Sequence, residues 1–554
     1  MSPHAKFLHR KPLAEARALL LSGVAPVEAE EIDTGDACGR VAAETITAFH
    51  PSPHYRASAM DGIAVRAADT FAASAQLPVR LRIVASGQDG GAAAQQSAAT
   101  AGAQTAGSRS TESAGEQSAA ASAAGAAGEL ICHAVDTGSP LADWTDAVLR
   151  IEDVAISGDI CVVKSPVPPG RDVRRAGEDI DAGAVIAPAG ARLTPYDVGA
   201  VLATGTSRVQ VRRRPRVAII ATGSEVVEPG DTARPGQVIE YNSRVMAGLI
   251  AQWGARAQRL GIVADDEASL QRVIGDACRG FDVVCVIAGS SAGRKDLTIP
   301  ALEQLGEVFV HGVDIAPGRP VALARAGATP VVAVPGYPVS AIVACEQLLR
   351  PLLAALLGTA ELAPRTLQAL VRRKIPSRLG IEEFRRVCLA RGRDGYVVAP
   401  LPGGAGSIST VAGAHGWLRI PSNREGIDAG GSVTIELMVP PAEVDAALVV
   451  AGHPCQVGTE IERRLRALDP RARVHYLHLG EFDAAGALAR GEAHLALSAG
   501  DAAHGARGDA AGDETRLVEL RVGGGDDRAW AAASSLAQSP VLRLLVDAGI
   551  VALN

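Results

Sequence analysis

VAIIATGSE (217–225), DVVCVIAGSSAGRKD (282–296) and PVVAVPGYPVS (330–340) each run from a short apolar stretch straight into a loop rich in Gly, Pro, Ser or carboxylate residues. A short apolar run without alternation is the pattern of a strand buried on both faces, as in a parallel sheet. Open α/β sheets bind their ligands just beyond the carboxyl ends of such strands. The three loops therefore outline one site for an anionic ligand, handled with the help of a metal ion. One loop of this kind would carry little weight; three in one stretch decide the reading.

Working outward, helical segments are expected at 243–253, 266–278 and 339–357, which makes 214–361 a layered α/β domain. Upstream, a helix and a short extended segment occupy 1–50, and 51–165 carries the strand-like runs GIAVRA, VRLRIV, DAVLRIEDV and ICVVKS. Within that β domain, 88–128 is almost wholly Ala, Gly, Ser, Gln and Thr. Such a composition cannot bury enough surface to offset its ordering entropy, so a disordered surface loop is expected. Downstream, 362–441 reads as a small β domain. ALVVAG, TEIERRLRAL and VHYLHL then announce a separate C-terminal α/β unit over 442–554, with a Gly/Ala/Asp-rich linker near 501–513.

The 554 residues, 47% hydrophobic and 21% charged, suit several globular cores. A net charge of −7 with no dominant basic stretch argues against nucleic acid as a partner. Eight cysteines without a CxxC pair suit reduced thiols in the cytoplasm and neither a disulfide framework nor a zinc site. The N-terminus reads as an amphipathic helix, and no uninterrupted apolar run long enough for a membrane span is expected.

In AGSSAGRKD, small residues let backbone N–H groups approach an anion; Ser291 can donate a hydrogen bond and Asp296 can reach a metal or a hydroxyl. A plain glycine turn after a buried strand would look the same. TGSE offers Thr222 and Ser224 as donors and Glu225 as a carboxylate, or simply a helix cap. PGYPVS pins a tight turn with two prolines and leaves Ser340 at a helix start, or serves as a rigid connector. Asp61 in SAMDGIAV and Asp179 in RRAGEDIDAG stand beside glycines or arginines, where aspartate often makes turns. His54 and His311 read as structural or exposed, and nothing has the spacing of a Ser–His–Asp triad.

Taken in order, SAMDGIAV (58–65), DTGSPLADWTDAVLRIED (136–153), VRRAGEDIDAG (173–183), ATGSEVVEPG (221–230), AGSSAGRKD (288–296), APGRP (316–320) and PGYPVSA (335–341) resemble the MoeA/gephyrin family of molybdopterin molybdenumtransferases. GIEEFRRV (380–387) and GGAGSISTVAGAHG (403–416) continue the resemblance, which covers roughly residues 8–440. It implies a multidomain α/β and β fold: a discontinuous linker domain (1–50 and 166–213) and an inserted β domain (51–165). A central molybdopterin-binding three-layer α/β domain (214–361), a β-barrel-like fourth domain (362–441) and the extra C-terminal α/β unit follow. It also implies a homodimer.

The resemblance implies Mg²⁺-dependent insertion of molybdate into adenylylated molybdopterin, with release of AMP. Asp61, Asp179, Glu225 and Asp296 take the catalytic acidic positions, with Asp61, Glu225 and Asp296 holding the metal. Thr222, Gly223, Asp265, Asp266, Gly289, Ser291, Gly293, Arg319, Pro335, Pro338 and Ser340 line the substrate. The molybdopterin adenylyltransferase and recipient molybdoenzymes are the implied protein partners, with no nucleic acid and no membrane. Molybdate bonds to sulfurs of the ligand, so no protein cysteine is required.

Four departures stand out. Ala288, Ser290 and Ala292 alter the usual GGVSVG loop, and Ala316 replaces the first cation of the KPGKP-like segment, leaving Arg319. One charge-assisted phosphate contact is worth about 1.5–3 kcal/mol, and Arg294 or Lys295 could supply it instead. GHPCQVGTEIERRLRAL (452–468) and ALARGEAHLALS (487–498) resemble the start of a periplasmic-binding-protein-like, LysR substrate-binding-like domain that lacks its second lobe. Two other readings stay open: a non-catalytic carrier of molybdopterin or finished cofactor, and a molybdate-linked sensor or scaffold.

Overall fold

A computed structural model describes residues 10–85, 129–287, 297–392, 395–452, 456–470, 472–479, 481–498, 515–521, 528–534 and 552–553. Two compact units emerge: 29–212, and 1–28 together with 213–554. The low-complexity stretch, the AGSSAGRKD loop, the 501–513 linker and the phrase SSLAQSPVLRLLVDAGI, save Ser534, lie outside the described residues.

In the larger unit the three apolar runs form adjacent parallel strands, Arg216–Thr222, Val283–Ile287 and Thr329–Val334. Arg256–Val263 flanks them on one side, and Ala322–Ala326 and Glu307–His311 on the other. The continuous hydrophobicity has a simple cause. Val217, Ile219, Val283, Cys285, Val332 and Val334 enter a core on one face, together with the helices Asn242–Gln252 and Pro338–Ala344. Ala218, Ile220, Val284, Val286, Val331 and Ala333 enter a second core on the opposite face, with Glu267–Gly280 and Thr298–Leu305. Each fully buried branched aliphatic contributes about 1.5–3 kcal/mol, so each of these core-facing positions has a reason to be apolar.

The segment read as one helix over 339–357 is interrupted. Pro338–Ala344 passes through a π turn at Cys345–Leu349 into Arg350–Leu357, and Arg17 donates from Nε to the Gln347 carbonyl at 2.6 Å. By length and composition 338–357 could cross a membrane, but 78% of its apolar window is buried, as in a core helix. The helix Leu13–Leu21, assigned from sequence to the linker domain, packs Leu13, Ala16 and Leu20 into this same core.

The fourth domain closes on itself. Glu382–Gly392 pairs with Gly395–Pro400 and also with Gly416–Ile420, while Thr366–Leu370 and Ser432–Leu437 complete the ring. The short strand Ile315–Ala316 joins it in parallel, with Ile315 opposite Glu382 and Ala316 opposite Glu383. The C-terminal sheet runs in the order Arg473–Leu477, Ala447–Ala451, Leu495–Ser498, Arg528–Ser534, Thr515–Arg521, Ala552–Leu553, its first three strands parallel.

In the smaller unit, a six-stranded sheet joins Ala147–Arg150, Gly62–Val65, Ile131–Val135, Val79–Ile83, Ile160–Val163 and Val154–Ser157 in that order. Ala29–Asp33 pairs antiparallel with Arg208–Arg212 below the helix Pro195–Ala203.

Candidate active site

Because the three central strands are parallel and adjacent, their loops leave from one edge of the sheet. Thr222, 2% exposed, donates from Oγ1 to the Ile287 carbonyl at 3.1 Å, fastening the first loop to the end of the second strand. Gly223 has φ +138°, and a Cβ there would lie 2.5 Å from Val226 Cγ2 and 3.2 Å from Glu225 Oε1. Only glycine fits, and the Glu225 carboxylate folds back over it.

Ser224 and Asp265 bond reciprocally: the Ser224 amide donates to Asp265 Oδ2 at 3.0 Å, and the Asp265 amide to Ser224 Oγ at 3.3 Å. The neighbouring acid does different work. Asp266 caps the helix Glu267–Gly280, accepting from the Ser269 amide at 2.9 Å, and its bonds to Ser269 hold the carboxyl below the usual carboxylate range. Of the two acids, Asp265 belongs to the loop and Asp266 to the helix.

In the third loop Pro335 is buried, and Pro338 opens the following helix in its first turn with Ser340 buried behind it. Asn242 Nδ2 donates to the Gly336 carbonyl at 2.7 Å. Gly318, next to Arg319, takes φ +118°, and a Cβ there would stand 3.2 Å from the Ser340 carbonyl. That close approach brings the APGRP segment onto PGYPVS. The Val339 amide in turn donates to the Ala405 carbonyl at 3.0 Å, tying the loop to the fourth domain.

Between the APGRP segment and the fourth domain lies a cavity of about 530 Å³, lined by Arg319, Arg378, Arg385 and Arg386 with Glu383 as its one carboxylate and Ser377 as a hydroxyl. Arg386, 9% exposed, donates Nη1 to the Gly404 carbonyl at 3.0 Å and Nη2 to that of Gly403 at 2.8 Å. Burial, and then the charge of Arg385, lower its proton affinity. Arg385 donates Nη2 to the Pro376 carbonyl at 2.8 Å and lies 2.9 Å from Glu383. Ala316 lines the same cavity. The cation that Ala316 fails to supply is thus outnumbered by three arginines of the fourth domain. FRR in GIEEFRRV is the local signal of Arg385 and Arg386, and the pairing of Ile315–Ala316 with Glu382–Glu383 brings that strand to the APGRP segment. Gly289, Ser291, Gly293, Arg294, Lys295 and Asp296 lie outside the described residues.

In the smaller unit Asp61 is exposed, and one of its oxygens accepts both the Thr137 amide at 2.6 Å and the Thr137 hydroxyl at 2.8 Å. Gly62 must follow it, since a Cβ there would sit 2.0 Å from the Leu149 carbonyl. Asp179 is exposed on a turn, its amide donating to the Ser52 carbonyl at 3.0 Å. Among the described residues no three His, Cys, Asp or Glu side chains stand together as a metal cage. Of the expected metal ligands, Asp61 belongs to the smaller unit and Glu225 to the larger, while Asp296 lies outside the described residues.

A parallel sheet whose loops carry carboxylates, and in the same unit a cavity of four arginines, are the equipment of a protein that binds phosphorylated or oxyanionic ligands. Family models match residues 11–205 as the MoeA N-terminal region (domain I and II), 218–355 as a "Probable molybdopterin binding domain", and 368–438 as the MoeA C-terminal region (domain IV). Molybdopterin molybdenumtransferase of Synechococcus elongatus is 30% identical over 428 residues, 75% of this chain and 97% of that protein. Molybdopterin molybdenumtransferase 2 of Mycobacterium tuberculosis is 29% identical over 432 residues, 76% and 93% of the two chains. The crystal structure of a molybdopterin biosynthesis MoeA protein from Pyrococcus superimposes with a TM-score of 0.64 at 30% identity, covering 78% of this chain and all (100%) of that one. The chain belongs to the MoeA family.

Proposed function

We propose that this chain is a molybdopterin molybdenumtransferase that inserts molybdate into adenylylated molybdopterin and releases AMP. The observation that carries the reading is the cavity of four arginines against a single carboxylate, bounded by Ala316, Pro317 and Arg319 of the APGRP segment. Guanidinium groups match oxyanions with paired N–H donors, and a half-buried site strengthens each contact. Arg319 and Arg386 orient phosphate or molybdate oxygens, while Pro335 and Pro338 keep the adjoining loop rigid.

Mg²⁺ suits the acids at the sheet edge. It takes one or two carboxylates, keeps several waters and uses substrate phosphates as further ligands, so a three-acid cage is not needed. Glu225 and Asp265, both next to or bonded with Ser224, would hold it, with Asp296 as a further ligand. When bound, the ion would neutralise charge on the phosphoanhydride. The two buried thiols Cys285 and Cys388 stay out of the chemistry: burial pushes both up to about 12. A cytoplasmic homodimer is the assembly we favour, as the motif resemblance implies.

Reconstitution with purified chain, adenylylated molybdopterin, molybdate and Mg²⁺ tests the proposal. AMP release that requires both molybdate and Mg²⁺, with activation of an apo-molybdoenzyme, is the expected result. Pterin binding without turnover would instead make the chain a carrier.

A further inference from the structure

The C-terminal unit is not tethered to the fourth domain; it shares a core with it. Cys388, Ala390, Ala399, Leu401 and Ala414 of the fourth domain pack with Val449, Ala451, Leu477, Ala487 and Leu488 of the C-terminal unit. Leu401 also lines the arginine cavity. At the edge of this seam Glu492, 1% exposed, accepts Arg490 through both of its oxygens at 3.1 and 2.9 Å and lies 3.3 Å from Arg373 of the fourth domain.

A chain of hydrogen bonds crosses the seam. The Leu389 amide donates to His415 Nδ1 at 2.9 Å, His415 Nε2 meets His475 Nε2 at 3.0 Å, and His475 Nδ1 meets the Gly413 carbonyl at 2.7 Å. An amide only donates and a carbonyl only accepts, so both tautomers are fixed. His415 carries its proton on Nε2 and gives it to His475, which carries its own on Nδ1. Every nitrogen in the chain is used.

Gly413 caps the helix Ile408–Ala412, and its carbonyl also accepts from Cys388 Sγ at 3.3 Å. The other end of that helix begins at Ser407. A Cβ on Gly403 would stand 3.2 Å from both Ser407 Oγ and Thr410 Cγ2, so the helix presses directly on the loop whose carbonyls hold Arg386. A mechanical path therefore runs from His475 through Gly413 and the short helix to the wall of the cavity.

We propose that His475 is a positioning residue for the oxyanion cavity, and that the C-terminal unit is a buttress holding the 403–407 loop and Arg386 in binding geometry. The inference rests on the cavity being the oxyanion site of the function proposed above. It gives the extra unit a role that needs no ligand of its own.

The test uses the full chain, titrated calorimetrically with inorganic pyrophosphate at pH 8, for wild type, His475→Gln, His475→Phe and Arg386→Ala. Gln keeps one donor and one acceptor; Phe keeps the volume and neither. The expected result is a wild-type Kd retained within about twofold by His475→Gln and raised about tenfold by His475→Phe at unchanged stoichiometry. A Kd for His475→Phe equal to wild type overturns the proposal. So does a loss for His475→Gln as large as for Phe, or a falling stoichiometry at constant Kd, which is what a merely structural seam would give. If wild type binds no pyrophosphate, or Arg386→Ala binds it as well as wild type, the cavity reading fails and takes this one with it.

Discussion

Thr137 gives both its amide and its hydroxyl proton to a single oxygen of Asp61, at 2.6 and 2.8 Å. The two bonds hold the Asp61 carboxyl below the usual carboxylate range. A depressed carboxylate contributes stability above its ordinary pKa of about 3.9 and loses it as pH falls through the folded value. Thr137→Val removes only the hydroxyl bond, so the Asp61 titration should move up toward the ordinary value, read by carboxyl carbon NMR. Asp61→Asn should abolish AMP release while leaving pyrophosphate binding intact; loss of both would place Asp61 in binding rather than turnover.

Gly223→Ala meets two obstacles at once, a φ of +138° and a contact of 2.5 Å with Val226. Strain of this kind costs about 1–3 kcal/mol. Denaturant midpoints should fall accordingly, and Mg²⁺-dependent turnover should fall further than stability accounts for, because Glu225 rests on the same glycine.

At Arg386 the side chain satisfies two carbonyls in a nearly closed space. Arg386→Met leaves Gly403 and Gly404 without those donors, and each charge-assisted bond is worth about 1.5–3 kcal/mol. Pyrophosphate affinity should drop at least about tenfold, and Arg386→Lys should not restore it, since one ammonium does not reproduce the planar fork. Ala316→Lys, by contrast, should tighten pyrophosphate binding without being needed for turnover. Calorimetry on the variants decides both points.

The histidine seam sets a pH limit. Burial first, then the charges of His475 and His494, push His415 down to about 2; burial pushes His494 down to about 4 and lowers His475. Around His475 stand Arg473, Glu462 and Glu443, besides His415 itself. All three are neutral when packed, so the separated state takes up the protons. Seam stability is complete above the ordinary histidine pKa near 6.5 and declines as pH falls below it, by about 1.4 kcal/mol per pH unit for each histidine. The hydrogen-exchange protection of 447–451 and 495–498 should fall steeply between pH 6.5 and about 5, whereas constant protection would mean that the seam does not depend on neutral histidines.

Much of the fold could be read in advance because its cause is local. VAIIA, VVCVI and PVVAV are apolar at every position since both sheet faces are covered, and burial on two sides leaves that mark in any short stretch. The same loops could be placed at the sheet edge before any coordinate. The arginine cavity could not: Arg319 and Arg386 lie far apart along the chain and meet only through a two-residue parallel pairing too short to leave a pattern. His415, His475 and His494 are similarly scattered. The strand Ile131–Val135 gives a weak signal, because ICHAV mixes polar and apolar residues directly after a featureless stretch. The π turn at 345–349 leaves no mark of its own in CEQLL, which holds neither glycine nor proline.

The core shared by Leu401, Ala414, Val449 and Leu488 has a consequence for how this chain can change. A module joined by a flexible linker can be discarded once it is no longer useful. One that has sealed its host's greasy flank cannot, because removing it would leave Cys388, Ala390 and Ala399 bare to water and invite self-association. Such a passenger becomes entrenched, retained because its absence has become the greater hazard.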